Sequence, residues 1–262
     1  MNTSIRIVDE HISFANELAE AARQVLAEHT RDGLGTSVKE DKTLVTRLDV
    51  MVEKRLRELI ESRFPEHGII GEEYENADLG RSHVWVLDPI DGTASFVAGI
   101  PVFGTLIALA VDGVPHLGVI DAPVLDLRWL GVTGRNTVCN GEAVRTRGCN
   151  ELSSALLLAG NRDRYAPEQI VPLDNLRGAT GARVYGGACL SYGRVAEGRA
   201  DIVLDAGQSL YDFAPYRPII EGAGGKITDW LGVPLSLSSD GNILAAGDPL
   251  VHQQALAVLS GR

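Results

Sequence analysis

An apolar run, Trp85-Val86-Leu87, passes directly into Asp88-Pro89-Ile90-Asp91-Gly92-Thr93, so two carboxylates three residues apart stand where a buried strand ends. Ionised carboxylates taken out of water are costly unless cations or hydrogen bonds compensate them, and two so close repel and drive one to keep its proton. A bound divalent cation removes both penalties. Pro89 fixes the backbone, so the turn can aim Asp88, Asp91 and the Ile90 carbonyl at one point. Gly92 lets an anion approach backbone N–H groups, and Thr93 brings a hydroxyl to the same place. No turn requirement calls for a second acid and a threonine here, so the hexapeptide reads as a site for a metal and a phosphate.

Further acids lie at Gly71-Glu72-Glu73, just after the apolar Ile69-Ile70, and at Tyr211-Asp212, at the start of an expected helix. Each has a plainer reading when taken singly: Glu72-Glu73 as a solvated loop, Asp212 and Asp49 as helix caps. Together with Asp88 and Asp91 they form an oxygen-only set without His or Cys. Such a set suits Mg²⁺ or Mn²⁺ and argues against zinc. Helices starting after Gly92-Thr93 and Gly186-Gly187 are expected to present N–H donors and a favourable dipole to an anion.

The elements that position these residues follow from periodicity. Phe14, Leu18, Ala21 or Ala22, and Val25 recur at helical spacing, which predicts an amphipathic helix over 10–29. Gly33 and Gly35 open a polar loop through Lys39-Glu40-Asp41-Lys42. Thr46-x-x-Asp49 then caps a second helix with an apolar face of Leu48, Met51 or Val52, Leu56 and Leu59, stopped by Phe64-Pro65. Short β-rich runs follow at 83–87, 105–109, 116–120 and 128–132, with Asp112-Gly113 as a hairpin signal. From Ser154 onward strands at 155–159 and 202–205 alternate with helices near 188–198 and 212–223, the last closed by Gly224-Gly225. The fold class is a layered α/β arrangement of mixed sheets covered by helices. A boundary is expected at 149–153, dividing an N-terminal α+β part (1–150) with most of the acids from a C-terminal α/β part (151–262) with Asp205 and Asp212, packed as one unit.

Composition excludes several function classes. A chain of 262 residues that is 45% hydrophobic can bury a large core. Its formal charge of -11 disfavours nucleic acid, whose binding relies on basic patches that release counterions. Cys139, Cys149 and Cys189 are an odd, widely spaced set without a CxxC pair or a zinc pattern, as expected of reduced thiols. The N-terminal stretch has acids where a signal peptide needs a basic region, and the longest apolar run, Phe103 to Val111, is far short of the ~20 residues of a membrane helix. These features lead to the expectation of a cytoplasmic protein without a membrane partner.

Gly71-Glu72-Glu73, Asp88-Pro89-Ile90-Asp91-Gly92-Thr93, and Asp212 with Glu221-Gly222-Ala223-Gly224-Gly225 resemble, in order, the motif set of the inositol monophosphatase superfamily, which are metal-dependent, lithium-sensitive phosphatases. Lys39 through Val45-Thr46 and Asp49 are similar to that family's N-terminal mobile loop. The resemblance implies a five-layered αβαβα sandwich and a homodimer or higher homo-oligomer. Within the superfamily, Phe103 to Leu109, Gly118 to Pro123, Thr146 to Cys149 and Tyr211-Asp212-Phe213 through Thr228-Asp229-Trp230 resemble histidinol-phosphate phosphatases of the inositol-monophosphatase type. Two departures stand out: Ala188 replaces an acid found in some relatives, and Pro215 is added ahead of Pro218.

The resemblance also implies roles. One Mg²⁺ is expected on Glu72, Asp88 and the Ile90 carbonyl, a second on Asp88, Asp91 and Asp212, and a third more loosely near Glu72. Water oriented by Thr93 and Glu72, with Asp49 behind Thr93, is expected to attack phosphorus in line. The substrate, a small phosphorylated metabolite, is expected on Asp91, Gly92, Thr93, Gly187, Ala188, Asp205 and Asp212. Asp205 would face its organic part, a cationic or hydrogen-bond-donating group in histidinol phosphate. Phosphatases for inositol 1-phosphate or for other sugar and nucleotide phosphates share every metal ligand. A non-enzymatic interaction protein on this scaffold would have lost an acid or Thr93, and none is missing.

Overall fold

The computed structural model describes residues 7–30, 33–39, 43–77 and 80–261, so Glu40, Asp41 and Lys42 of the expected polar loop lie outside the described residues. Helices α1 (Asp9–His29) and α2 (Arg47–Arg63) form the first layer. On α1 the buried stripe is Phe14, Ala15, Leu18, Ala19, Ala22 and Leu26, with Ala21 and Val25 only half-buried beside it. On α2 it is Leu48, Val52, Leu56 and Ile60 rather than Met51 and Leu59, and the stripe also carries Asp49, Glu53 and Arg57. The two helices pack on a seven-stranded sheet of order β3-β4-β5-β6-β7-β8-β9: β3 (Gly68–Gly71), β4 (His83–Asp91), β5 (Gly104–Val111), β6 (Val114–Ala122), β7 (Leu127–Val132), β8 (Val138–Cys139) and β9 (Glu142–Ala143). Trp85, Leu87, Ile107, Leu109, Leu117 and Val119 face the helix pair. A small hairpin, β1 (Ser37–Val38) with β2 (Leu44–Val45), precedes α2.

Alternation sends Leu106, Ile120 and Trp129 to the other face, against a middle layer of α5 (Leu190–Ala196), α6 (Leu210–Phe213) and α7 (Tyr216–Gly222). Gly118 and Gly131 permit this contact, since a Cβ at either would run into the backbone of Pro215 or Ile219. Beneath lies a five-stranded sheet of order β11-β10-β12-β14-β13: β10 (Leu156–Ala159), β11 (Ala182–Tyr185), β12 (Ile202–Asp205), β13 (Lys226–Asp229) and β14 (Ile243–Ala246). Val203, Ile227, Ile243 and Ala245 face the middle helices. Leu157, Ile202, Leu204 and Leu244 face an outer layer of α4 (Pro167–Ala179) and α8 (Pro249–Leu259). The order is therefore αβαβα.

Two elements differ from the sequence reading, and the expected Asp112-Gly113 hairpin forms as read. The strand begun at His83 continues through both acids to Asp91, because β4 stays paired with β5 as far as Asp91↔Gly104. The helix expected over 212–223 is two, α6 and α7, broken at Pro215, which has no N–H to continue the ladder. The Asp112-Gly113 turn joins β5 to β6 as a two-residue hairpin with φ of 49° and 79°, the positive pair of a type I′ turn.

Candidate active site

The acid pair owes its placement to an irregularity in β4. Register with β5 shifts between Asp88 and Asp91, and Thr105 Oγ1, on β5, donates to the Pro89 carbonyl at 2.8 Å, pinning the bulged segment. Asp88 lies opposite Leu106, on the face turned to the middle helices. Asp212, in the first turn of α6, has one carboxylate oxygen held by the Ser209 N–H at 2.8 Å. Asp88, Asp91 and Asp212 thus each bring a carboxylate oxygen to within 4.8 Å of the others.

Such a cluster cannot stay fully ionised by itself. Burial pushes the Asp88 carboxyl well above the usual carboxylate range, and Glu72, Asp91, Asp212 and Asp49 push it the same way. Burial also takes Asp212 up to about 7, with Asp91 adding to the shift. Asp91 is raised by burial too, against the pull of Cys189. Asp88 Oδ1 is buried and has no hydrogen-bond partner among the described residues. An orphaned carboxylate oxygen facing two other carboxylates, with no nitrogen or sulfur in the set, fits a hard divalent cation.

Glu72 follows β3 and pairs with Lys39 Nζ at 2.8 Å, and Lys39 also holds Glu73 at 2.7 Å. Glu72 lies outside the tight group of three, yet its charge reaches Asp88, Asp91 and Asp212. Burial raises Glu73 to about 7 despite Lys39. Thr93 starts the short helix α3 (Thr93–Val97); its Oγ1 donates to the Ile90 carbonyl at 2.9 Å and lies 3.4 Å from Asp49 Oδ1. Asp49 is wholly buried, and its other oxygen receives the Thr46 N–H at 2.8 Å and the Thr46 hydroxyl at 2.6 Å. The expected α2 cap is thus also what stands behind Thr93.

Gly92 has φ +86°, and a Cβ there would lie 2.6 Å from the Val102 carbonyl oxygen and 3.4 Å from Ala188 Cβ. The loop of Gly187 and Ala188 is accordingly brought to the phosphate-side turn. The N–H expected there for an anion is in part committed elsewhere, because Cys189 N–H donates to Asp91 Oδ2 at 2.6 Å. Asp205, at the end of β12, stays outside the group of three, with its oxygens held by Gly160 N–H and Tyr192 O–H.

The family model described as inositol monophosphatase family matches residues 7–261. The chain belongs to the inositol monophosphatase family. It is 40% identical over 261 residues to the chloroplastic bifunctional phosphatase IMPL2 of Arabidopsis thaliana, covering 96% of this chain and 75% of the relative. It is 34% identical to a histidinol-phosphatase of Chlorobaculum parvum, over 89% and 91% of the two chains. A solved inositol monophosphatase from Zymomonas mobilis superposes with a TM-score of 0.87 at 37% identity, over 97% of this chain and 100% of the other. As a member of this family the chain is a metal-dependent phosphatase for small phosphorylated substrates. Among the described residues no helix is long and apolar enough to cross a membrane.

Sequence reasoning missed two participants in this family site. Glu53, fully buried on α2, accepts the Glu73 N–H at 2.7 Å and the Arg57 guanidinium at 2.8 Å, and so fixes the loop that carries Glu72. The available signal was an acid and a base four residues apart on the apolar stripe. Arg164, exposed after β10, opposes through its charge the burial that raises the carboxyls of Asp91, Asp205 and Asp212. No motif marked it, because its proximity arises from chain topology.

Proposed function

We propose that the chain hydrolyses L-histidinol phosphate to L-histidinol and phosphate with Mg²⁺, Mn²⁺ being a possible substitute. The observation that carries the substrate assignment is Asp205: a half-buried carboxylate near the acid cluster suits an imidazole N–H or an ammonium on the organic part of the substrate. The histidinol-phosphatase relative supports the same reading.

Two to three cations, when bound, supply Lewis-acid stabilisation of the phosphoryl and leaving oxygens. Glu72, Asp88 and the Ile90 carbonyl would hold one, Asp88, Asp91 and Asp212 another, and Glu72 contributes to a third. Thr93, braced by Asp49, and Glu72 orient the attacking water, which adds to phosphorus as the bond to the alcohol oxygen breaks and that oxygen takes a proton. Gly92, Thr93, Gly187 and Ala188 line the phosphate side, while Asp205 holds the organic part.

A second reading, an inositol 1-phosphate or other small sugar or nucleotide phosphate phosphatase, is favoured by Ala188, which removes an acid, and by Arg164, whose charge partly answers Asp205. The homo-oligomer belongs to the same proposal, supported by exposed Val184 and Tyr185 on the edge strand β11. Assay of purified protein with Mg²⁺ on a panel of phosphomonoesters tests the assignment: histidinol phosphate is expected to give the highest kcat/KM. Preference for inositol 1-phosphate would overturn it in favour of the second reading.

A further inference from the structure

Asp205 is held from two sides. Gly160 N–H donates to its Oδ1 at 2.9 Å, and Tyr192 O–H donates to its Oδ2 at 3.0 Å. A Cβ at position 160 would lie 2.8 Å from Oδ1, so glycine is what lets that backbone come so near. Tyr192 is fully buried on α5, and its ring stacks on that of Tyr216 on α7, with centroids 3.6 Å apart and planes inclined by 14°. The phenol therefore has little rotational freedom, and its hydroxyl arrives at Asp205 from a rigid direction. Tyr165 completes the frame by donating its hydroxyl to the Leu204 carbonyl at 2.7 Å, which fixes the strand end just before Asp205.

A carboxylate has about four acceptor directions, and these two donors use one on each oxygen. The remaining directions stay open to a ligand, and the two donors decide where they point. We propose that Tyr192 is a positioning residue: by fixing Asp205 Oδ2 it sets the orientation in which that carboxylate meets the organic part of the substrate, and so contributes to specificity rather than to phosphoryl transfer. The proposal rests on the reading that Asp205 contacts that part. Burial pushes Asp205 up to about 7 while Tyr192 and Gly160 pull it down, so the same hydroxyl also favours the ionised form that a cationic group requires.

Tyr192→Phe retains the ring, its stack and the buried volume, and removes the one hydroxyl. In Mg²⁺-loaded protein it is expected to raise KM for histidinol phosphate about tenfold with kcat within about twofold, to move the rising limb of kcat/KM to higher pH, and to leave p-nitrophenyl phosphate unchanged. Asp205→Asn is measured in parallel, and the double variant is expected to lose no more than Asp205→Asn alone. Gly160→Ala, which displaces the same carboxylate from its other oxygen, should reproduce the selective loss should the phenylalanine variant not fold. A selective loss in Asp205→Asn with none in Tyr192→Phe or Gly160→Ala overturns the positioning role alone. Equal losses on both esters in Tyr192→Phe also overturn it. An Asp205→Asn variant indistinguishable from wild type on both esters overturns the underlying reading, and the positioning role with it.

Discussion

The Cys189 backbone N–H reaches Asp91 Oδ2 at 2.6 Å and so ties the end of β4 to the start of α5, across 98 residues of sequence. The hydrogen bond is charge-assisted and joins the seven-stranded sheet to the middle helices where the acids converge. It also explains the turn before it, in which Ala188 takes φ +45°, a left-handed conformation that costs a non-glycine residue about 1 kcal/mol or more. The turn aims an amide at Asp91, and burial of Cys189 locks it there.

Asp88→Asn is expected to abolish turnover while leaving the fold intact, and the metal-free variant should melt no lower than metal-free wild type. Asp88 is forced toward its protonated form by burial and by four neighbouring acids, so a neutral amide relieves repulsion as it removes a ligand oxygen. Thermal melting in EDTA and in Mg²⁺, with turnover, checks this. A variant that stays active with the wild-type Mg²⁺ dependence would sink the metal-cage reading.

Thr93→Ala should lower kcat by about 10²-fold with a much smaller change in KM, because a hydroxyl that orients water acts mainly in the transition state. Thr93→Ser keeps an oxygen beside Ile90 and Asp49 and should recover part of the loss. Steady-state kinetics decide between roles, since a rise in KM alone would make Thr93 a binding residue.

Glu53→Gln should raise the Mg²⁺ concentration needed for half-maximal activity by about tenfold, the scale of losses when a residue supporting a metal ligand is changed. The Glu73 N–H can still find the amide oxygen, but Arg57 loses a buried ionic partner, so stability is also expected to fall by about 3 kcal/mol. Mg²⁺ titration of activity, set beside denaturant unfolding, separates the two effects. An unchanged Mg²⁺ dependence would confine Glu53 to stability.

Much of this site was legible because its chemistry is concentrated in one strand end. Asp88, Asp91 and Thr93 are almost contiguous, and their types make little sense as a plain turn. Asp212 was legible as an acid at a helix start and again through the resemblance, whereas its approach to Asp88 depends on α6 docking beneath the sheet, which no local pattern encodes. Glu53 escaped because an acid on an amphipathic helix reads as solvated unless its burial is known. Periodicity continues across Pro215, so it predicts one helix where the structure has two. The outer helices α4 and α8 carry no clear amphipathic signal: α4 contains Pro172 and an ill-defined stripe, and α8 is apolar on most sides.

His252 provides a pH signature outside the site. Its ring is buried beneath β13, with Nε2 3.0 Å from Thr228 Oγ1, and burial lowers its pKa from 6.5 to about 4. Between those values the unfolded chain binds a proton that the folded chain does not, so this residue's contribution is complete above pH 6.5 and is lost as pH falls toward 4, at up to about 1.4 kcal/mol per pH unit. Asp205, raised to about 7, works in the opposite sense over the same interval, because there the folded chain holds the extra proton. The raw pH profile of stability therefore mixes signs, and the difference between wild type and His252→Asn isolates the histidine. Asparagine keeps a polar partner for Thr228 but does not titrate, so wild type should lose ground to the variant by about 3 kcal/mol in total from pH 6.5 to pH 4. Urea unfolding at half-unit steps measures it, and a difference that stays flat across that range would show that His252 keeps an ordinary pKa in the folded protein.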